Sequence, residues 1–264
     1  MKIKDVLAKD NNDLIIALSY IIDKSKSFIY LNQDLVLDEK AKIALDDLEQ
    51  KLAKGEPLQY ALGHWEFFGL DLLVDKRALI PRFETEILVE YILNANIKKD
   101  NILDIGTGSG AISLALAKNL IKSTVTGVDI SDEALSLAKE NMDRLKVDNV
   151  TFFKSNLFEN VSGKFDLIVS NPPYISEKDY KTLDEKLFFE PKSALVAGID
   201  GLDFYKDIIK EASEYLNDCG HLIFEIGYDQ KAAINDLLIK SDFKNLENIK
   251  DFNGFDRIIM AQKG

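Results

Sequence analysis

Ile102-Leu103-Asp104-Ile105-Gly106-Thr107-Gly108-Ser109-Gly110-Ala111 reads as a short apolar strand that runs through a glycine-rich turn into a helix. Glycine at alternate positions permits a tight turn and lets a ligand come close to the backbone. Downstream, strand and helix patterns alternate. Strands are expected at Asn101–Ile105, Ser123–Asp129, Val150–Lys154, Phe165–Ser170 and Gly220–Ile226, and helices at Ser109–Leu120, Asp132–Lys146, Gly201–Leu216 and Gln230–Lys240. Such alternation predicts an α/β protein with a doubly wound, mostly parallel sheet and helices on both faces. Two closing strands, Lys244–Lys250 and Asp256–Ala261, are joined through Asn253-Gly254, a hairpin signal that predicts an antiparallel edge and brings the sheet to seven strands.

The amino-terminal part differs in kind. Leu14, Ile15, Leu18, Ile21 and Ile22, then Ile43, Leu48 and Leu52, recur at helical spacing among Lys and Asp. The expectation is a small helical domain over 1–57, ended by Gly55-Glu56-Pro57 and serving either as scaffold or as a binding module. A hairpin-like connector is expected over 58–80, around Gly63 and Gly69, followed by the α/β domain over 81–264. Within the latter a helix is expected to start near Thr85, with Ile87, Leu88, Tyr91 and Ile92 on one face.

Composition narrows the chemistry. The 264-residue chain is 46% hydrophobic and 30% charged, enough to build a packed core throughout. No apolar run approaches the ~20 residues that span a bilayer, and Met1-Lys2-Ile3-Lys4-Asp5 lacks a signal peptide's apolar block, so a cytoplasmic protein with no membrane partner is expected. Cys219 is the only cysteine, and His64 and His221 are the only histidines, which disfavours cysteine metal clusters, imidazole-based metal catalysis and a Ser-His-Asp triad; no metal is expected. The net charge of −12 disfavours nucleic acid as a stable partner, since neutralising phosphates demands the opposite balance.

Asp129 closes the second strand of the α/β part about twenty residues beyond the glycine turn, where an acidic side chain can take both hydroxyls of a ribose. A nucleoside-containing cofactor follows, held by Gly106, Thr107, Gly108, Ser109, Gly110 and Asp129. Gly106-x-Gly108-x-x-Ala111 also satisfies the dinucleotide fingerprint. Asp104 argues against a dinucleotide: a carboxylate beside the glycines repels a pyrophosphate and suits the ammonium and sulfonium of S-adenosylmethionine. Asn156 and Leu157 stand where an adenine edge and face would be met, and they serve equally well as plain loop residues.

Asn171-Pro172-Pro173-Tyr174 follows a run, Phe165–Ser170, that reads as a buried strand. A polar residue at a strand's carboxyl end, then two prolines that cannot continue a ladder, is a site-like arrangement, although Asn and Pro also end strands in ordinary turns. The Asn171 side chain and the Pro172 carbonyl can accept both hydrogens of one planar NH2 group, with Pro173 shaping the corner and Tyr174 lying against the flat face of the group's carrier.

Together these motifs resemble the class I S-adenosylmethionine-dependent methyltransferases that act on planar nitrogens. The whole chain is similar to the protein-(glutamine-N5) methyltransferases that modify the Gly-Gly-Gln motif of class 1 peptide chain release factors. Besides the motifs above, the resemblance is carried by Gly55-Glu56-Pro57-Leu58-Gln59-Tyr60, Leu79-Ile80-Pro81-Arg82-x-Glu84-Thr85-Glu86, Gly127-Val128-Asp129-Ile130-Ser131, Glu190-Pro191 with Ala194-Leu195, Asp200-Gly201-Leu202, and Glu225-Ile226-Gly227 with Gln230. It implies that release factors are the protein partners and that the helical domain helps engage them. Three positions depart from the family pattern: Phe83 where a proline is usual, Asn156 where an Asp commonly meets the adenine amine, and Ile199 where a glycine is frequent. Asn156 still offers a carbonyl oxygen, and Phe83 could form an apolar wall of the pocket. Asn-Pro-Pro-Tyr is shared with DNA amino-methyltransferases, which act on a flipped base. A glutamine methyltransferase of a ribosomal protein, a non-catalytic adaptor and a nicotinamide dehydrogenase are the other readings of the same residues.

Overall fold

The computed structural model describes residues 1–264, and the chain forms two compact units: Met1–Gly63 with Glu185–Phe189, and His64–Asp184 with Glu190–Gly264.

The first unit contains α1 (Ile3–Leu7), α2 (Asn12–Ile21), α3 (Lys26–Leu31), α4 (Glu39–Ala53) and α5 (Leu58–Leu62). Short polar side chains start three of them. Asn11 accepts from the Asp13 and Leu14 amides, Ser25 from the Phe28 amide and Asp38 from the Ala41 amide, each satisfying an N–H that has no partner inside its helix. Ile3, Val6, Leu14, Leu18, Ile29, Leu45 and Leu48 bury the apolar stripe. The expected hairpin-like connector over 58–80 is not one piece. Leu58–Leu62 is helical and ends at Gly63, whose φ of 78° supplies the left-handed cap.

The second unit opens with the hairpin β1 (His64–Phe67) and β2 (Leu70–Leu73), turned at Phe68-Gly69 with φ of 49° and 73°, followed by α6 (Phe83–Asn94). Then come β3 (Asn101–Ile105), α7 (Ala111–Asn119), β4 (Thr124–Asp129), α8 (Asp132–Leu145), β5 (Val150–Lys154), β6 (Phe165–Ser170), α9 (Glu177–Tyr180), α10 (Asp203–Tyr215), β7 (Leu216–Glu225), α11 (Lys231–Lys240), β8 (Lys244–Lys250) and β9 (Asp256–Gln262). Seven of these strands form one sheet in the order β5-β4-β3-β6-β7-β9-β8, and only β9 pairs antiparallel, with β7 and with β8. The α/β class and the antiparallel hairpin edge follow the expectation, and the elements differ from it by a few residues at their ends. The largest shifts are at β7, which starts at Leu216 rather than Gly220, and at the first and third expected helices, which begin two residues later.

Every residue of β6 is buried, as a central strand covered on both faces requires. β3 is buried from Ile102 onward, and Leu103, Ile105, Ile168, Leu222, Phe224 and Ile259 join Ile208, Ile209 and Ile234 in one core. Because the chain runs β3 to β4 to β5 on one side and β6 to β7 on the other, the strand order reverses between β3 and β6. The carboxyl ends of those two strands diverge into a crevice, the ligand position of open α/β sheets.

The closeness of helix and sheet beside this crevice is set by Gly127 in β4. A Cβ there would stand 2.5 Å from the Phe152 ring and 2.8 Å from Ser113 Oγ. Gly127→Ala is expected to destabilise the protein by about 1–3 kcal/mol through overpacking, read as a lower denaturant midpoint with an unchanged slope.

Candidate active site

The crevice holds a cavity of about 400 Å3, the size of a small-molecule pocket. On the β3 side it is lined by Gly106, Thr107, Gly108, Ser109 and Ala111, and on the β4 and β5 side by Asp129, Ile130, Asn156 and Leu157. Asn171, Pro172 and Pro173 line it from the end of β6, and Arg82 and Thr85 from the start of α6.

The glycine turn is shaped from behind. Gly106 and Thr107 donate their amides to the Val128 carbonyl at 2.8 and 3.0 Å, and Gly108 donates to Asp129 Oδ2 at 2.9 Å. Gly106 has φ of 74°, and no protein atom lies within 4 Å of where a Cβ would be, so the open side of the turn is left to a ligand. Asp129 Oδ1 takes the Ser131 amide at 2.9 Å. Each of its oxygens thus holds one backbone N–H and keeps further lone-pair directions for hydroxyl donors. Burial raises the Asp129 pKa, opposed by those amides.

Two of the residues expected at the cofactor do not line the cavity. Asp104 is fully buried behind the turn, where its Oδ2 accepts from Thr107 Oγ1 and from Ser113 Oγ, both at 2.7 Å. Its role in this structure is to hold the turn and the first helical residues together rather than to present its carboxylate directly to a ligand. Burial lifts its pKa to about 6, with Asp129 adding to the rise, and its Oδ1 is buried without a hydrogen-bond partner. Gly110 caps α7 in the left-handed region, and a Cβ there would press on Leu114, Phe152 and Ala138 at 3.1–3.2 Å. Its φ of 82° together with this tight helix–sheet packing favours glycine there.

Asn156 donates its amide to Glu159 Oε1 at 2.8 Å, which leaves its carbonyl oxygen as an acceptor for an amine in the cavity. Leu157 beside it has φ of 48°, an unusual backbone for a branched side chain. Asn141, buried on α8, ties the cavity's outer frame together: its Oδ1 accepts from the Leu73 amide, and its Nδ2 donates to the Leu73 and Ser109 carbonyls.

Asn171 sits just beyond β6, whose last residue, Ser170, donates its hydroxyl to the Ile105 carbonyl at 2.7 Å. That bond fastens the two strand ends side by side. Asn171 Nδ2 donates to Thr85 Oγ1 at 3.1 Å, and Thr85 Oγ1 donates to Glu225 Oε2 at 2.7 Å. With its amino group so engaged, the Asn171 carboxamide has its oxygen on the opposite side.

Tyr174 is the third residue that leaves its expected place. It does not line the cavity. Its ring packs on the core, and burial raises its pKa to about 12, so the phenol stays neutral. Its backbone carbonyl accepts from Gln230 Nε2 at 3.0 Å; the same nitrogen donates to the Gly201 carbonyl, and Gln230 Oε1 accepts from the Gly227 amide. A Cβ on Gly201 would stand 2.3 Å from that Tyr174 carbonyl, so the motifs around Gly201, Gly227 and Gln230 form a brace for the Asn-Pro-Pro-Tyr corner. Phe83 is not a pocket wall either; it is 63% exposed and lies against Phe252, with ring centroids 6.1 Å apart. Ile199 is exposed and off the cavity.

Some of the site was not assigned a role from the sequence. Glu190, buried, accepts from the Ile80 amide at 2.9 Å and from the Arg82 guanidinium, pinning the segment that carries Arg82 to the cavity. Thr85 and Glu225 are likewise buried polar residues in quoted motifs, and only the fold shows that they meet Asn171.

Residues 83–200 match the family model described as methyltransferase small domain, and the fold and the cavity together define a class I S-adenosylmethionine-dependent methyltransferase. Residues 5–63 match the model of the PrmC N-terminal domain. The chain is 46% identical over 247 residues to the release factor glutamine methyltransferase of Fusobacterium nucleatum, covering 92% of this chain and 70% of that protein. It is 45% identical over 242 residues to the release factor glutamine methyltransferase of Streptococcus pneumoniae, covering 90% and 86%. It belongs to the release factor glutamine methyltransferase family. In fold alone it is also similar to the hMettl16 catalytic domain solved in complex with MAT2A 3'UTR hairpin 1, with a TM-score of 0.61 and 18% identity over 94% of this chain and 91% of that one.

Asp129→Ala removes an acceptor that can serve a ribose and also frees the Gly108 and Ser131 amides. S-adenosylmethionine affinity measured by calorimetry is expected to fall by about tenfold or more, whereas unchanged affinity would remove Asp129 from the cofactor site.

Proposed function

We propose that the protein transfers the methyl group of S-adenosylmethionine to the side-chain amide nitrogen of the Gln in the Gly-Gly-Gln motif of class 1 peptide chain release factors. The observation that carries this reading is the Asn171 carboxamide, anchored by its amino group at the same crevice as the glycine turn. The names of its curated relatives support the release factor as acceptor. In this reading the helical domain, 1–57 in its expected extent, contributes to engaging the release factor.

Gly106, Thr107, Gly108 and Ser109 would hold the cofactor's amino-acid end close to the backbone, with Asp104 bracing the turn from beneath. Asp129 would take the ribose hydroxyls, Asn156 would offer its carbonyl oxygen to the adenine amine, and Leu157 would meet the ring. The bound donor supplies an electrophilic methyl on a positively charged sulfur.

An amide nitrogen is a poor nucleophile because its lone pair is delocalised into the carbonyl. Asn171 Oδ1 and the Pro172 carbonyl accept its two hydrogens, which orients the nitrogen and favours a geometry with the lone pair free. Transfer would form the N–C bond as the S–C bond breaks, with the bonding pair going to sulfur and positive charge gathering on the acceptor nitrogen. The two acceptors meet that charge where it develops, so they stabilise the transition state more than the ground state. The N–H proton becomes acidic only after alkylation and then passes to solvent, so no strong base is needed beforehand. Pro173 keeps the corner rigid. Tyr174 acts through that corner's backbone, as a support rather than a wall.

Incubation with labelled S-adenosylmethionine, purified release factor, its Gln-substituted form and duplex DNA is the test. Label is expected on the unsubstituted release factor alone; label on the DNA alone would replace this reading with a base methyltransferase. Asn171→Ala is expected to keep S-adenosylmethionine binding and lower turnover by roughly 10²-fold or more. Equal loss of both would reduce Asn171 to a fold-shaping residue.

A further inference from the structure

An asparagine side chain can be turned over by half a rotation of its amide, and the two orientations are opposites to an acceptor. One presents an oxygen, the other an NH2 group. An incoming carboxamide nitrogen needs the oxygen. Nothing in Asn171 itself selects it.

We propose that Glu225 and Thr85 form a positioning relay that fixes the Asn171 carboxamide with its oxygen towards the acceptor nitrogen. The inference rests on the reading of Asn171 as the acceptor-binding group. A hydroxyl has a single proton to give, and Thr85 gives it to Glu225 Oε2 at 2.7 Å. Its oxygen is then left as an acceptor, and it takes the Asn171 Nδ2 proton at 3.1 Å. An ionised carboxylate can only accept, so the direction of every bond in the chain is dictated from the Glu225 end. The geometry is rigid at each link. Glu225 is 2% exposed at the end of β7, Thr85 is 4% exposed in the first turn of α6, and Asn171 follows β6.

A carboxylate buried this deeply is expensive unless it is compensated. The compensation for Glu225 comes from the Thr85 hydroxyl, from Arg257 on β9 and from the Asn171 amide, with Glu84 on α6 opposing. The Tyr174 and Tyr205 phenols also face it, both held neutral by burial, and Tyr205 donates its hydroxyl to the Glu225 backbone carbonyl at 2.9 Å. Burial outweighs these partners and lifts the Glu225 pKa to about 7. The anionic form is therefore complete above that pH and lost as pH falls through it.

Protonation releases the relay. A neutral Glu225 can donate to Thr85 as well as accept from it, and the Thr85 hydroxyl is then free to donate to Asn171 Oδ1. The amide is no longer held in one orientation, and in the turned-over one its NH2 group faces the acceptor's NH2 group. The protein thus has a built-in reason to lose turnover on the acid side while the glycine turn and Asp129, which make no bond to the relay, keep their arrangement.

The test combines a signal that needs no acceptor with kinetics. In 15N-labelled protein, the Asn171 side-chain NH2 resonances, identified by their loss in Asn171→Asp, are followed from pH 5 to 9 beside Thr85→Val, Thr85→Ser and Glu225→Gln. The relay predicts a titrating shift in the wild type and in Thr85→Ser that is weakened in Thr85→Val, where only the direct approach of the Asn171 amide to Glu225 remains, and absent in Glu225→Gln. In methyl transfer to release factor, Thr85→Val is expected to lower kcat by about tenfold, the worth of one hydrogen bond, with a smaller change in S-adenosylmethionine affinity. Thr85→Ser, which restores the hydroxyl, recovers most of that loss, and Glu225→Gln flattens the acid limb of the kcat profile. An Asn171 signal that titrates unaltered in Glu225→Gln, or a full kcat in Thr85→Val, overturns the relay. If the resonances behave as predicted and no release factor is methylated, the relay stands and the acceptor assignment fails.

Discussion

The structure depends most on the parallel pairing of β3 with β6 in a single register. Ile105 is opposite Ser170, and the Ser170 hydroxyl closes on the Ile105 carbonyl, so the next residue on each strand, Gly106 and Asn171, emerges at the same edge of the sheet. A slip of one residue would turn every side chain of a strand to the other face. With both strands buried on both sides, such a slip is strongly opposed. The donor turn and the acceptor corner are thereby brought together by the part of the core least able to move.

Around that register, charge is buried in service of shape. Asp104 and Glu225 are both inaccessible carboxylates with raised pKa values, about 6 and about 7, and each turns one oxygen to hydroxyl donors, Asp104 Oδ2 to two of them and Glu225 Oε2 to one. Asp104 clasps the turn that receives the cofactor. Glu225 orders the amide that receives the acceptor. Placing such groups in the interior costs stability, and functional sites are where proteins tolerate that cost. A third buried carboxylate, Glu190, holds the segment that brings Arg82 to the cavity.

Much of this was legible in the order of residues, because the relevant signals are local. The strand boundaries at Asn101–Ile105, Val150–Lys154 and Phe165–Ser170 follow from short β-rich apolar runs bounded by turn residues, and the positions of Gly106, Asp129 and Asn171 at strand ends follow from those boundaries. What stayed hidden depends on long-range contacts. Thr85 and Glu225 are 140 residues apart, and each alone is an ordinary polar residue near a helix start or a strand end. Asp104 reads as a cofactor ligand because it adjoins the glycines, and only the pleat reveals that its side chain turns inward to Thr107 and Ser113. Gly110 looks like a member of the ligand loop. Its absent Cβ makes room for protein side chains, as does that of Gly201 beside the Tyr174 carbonyl. Leu58–Leu62 falls within the expected hairpin-like connector because Gly55 and Pro57 break the pattern before it, yet a break can also begin a helix, and Pro57 stands at its N-cap.

The central claim is that a carboxamide oxygen at the end of β6 accepts from a planar NH2 group opposite the methyl donor. A crystal structure with a non-reactive analogue of the donor and a glutamine-containing acceptor peptide measures this directly. The account predicts the acceptor nitrogen within hydrogen-bond distance of Asn171 Oδ1 and of the Pro172 carbonyl, facing the carbon that would be transferred. An acceptor amide seated elsewhere, with the Asn171 oxygen turned onto Thr85, would contradict it.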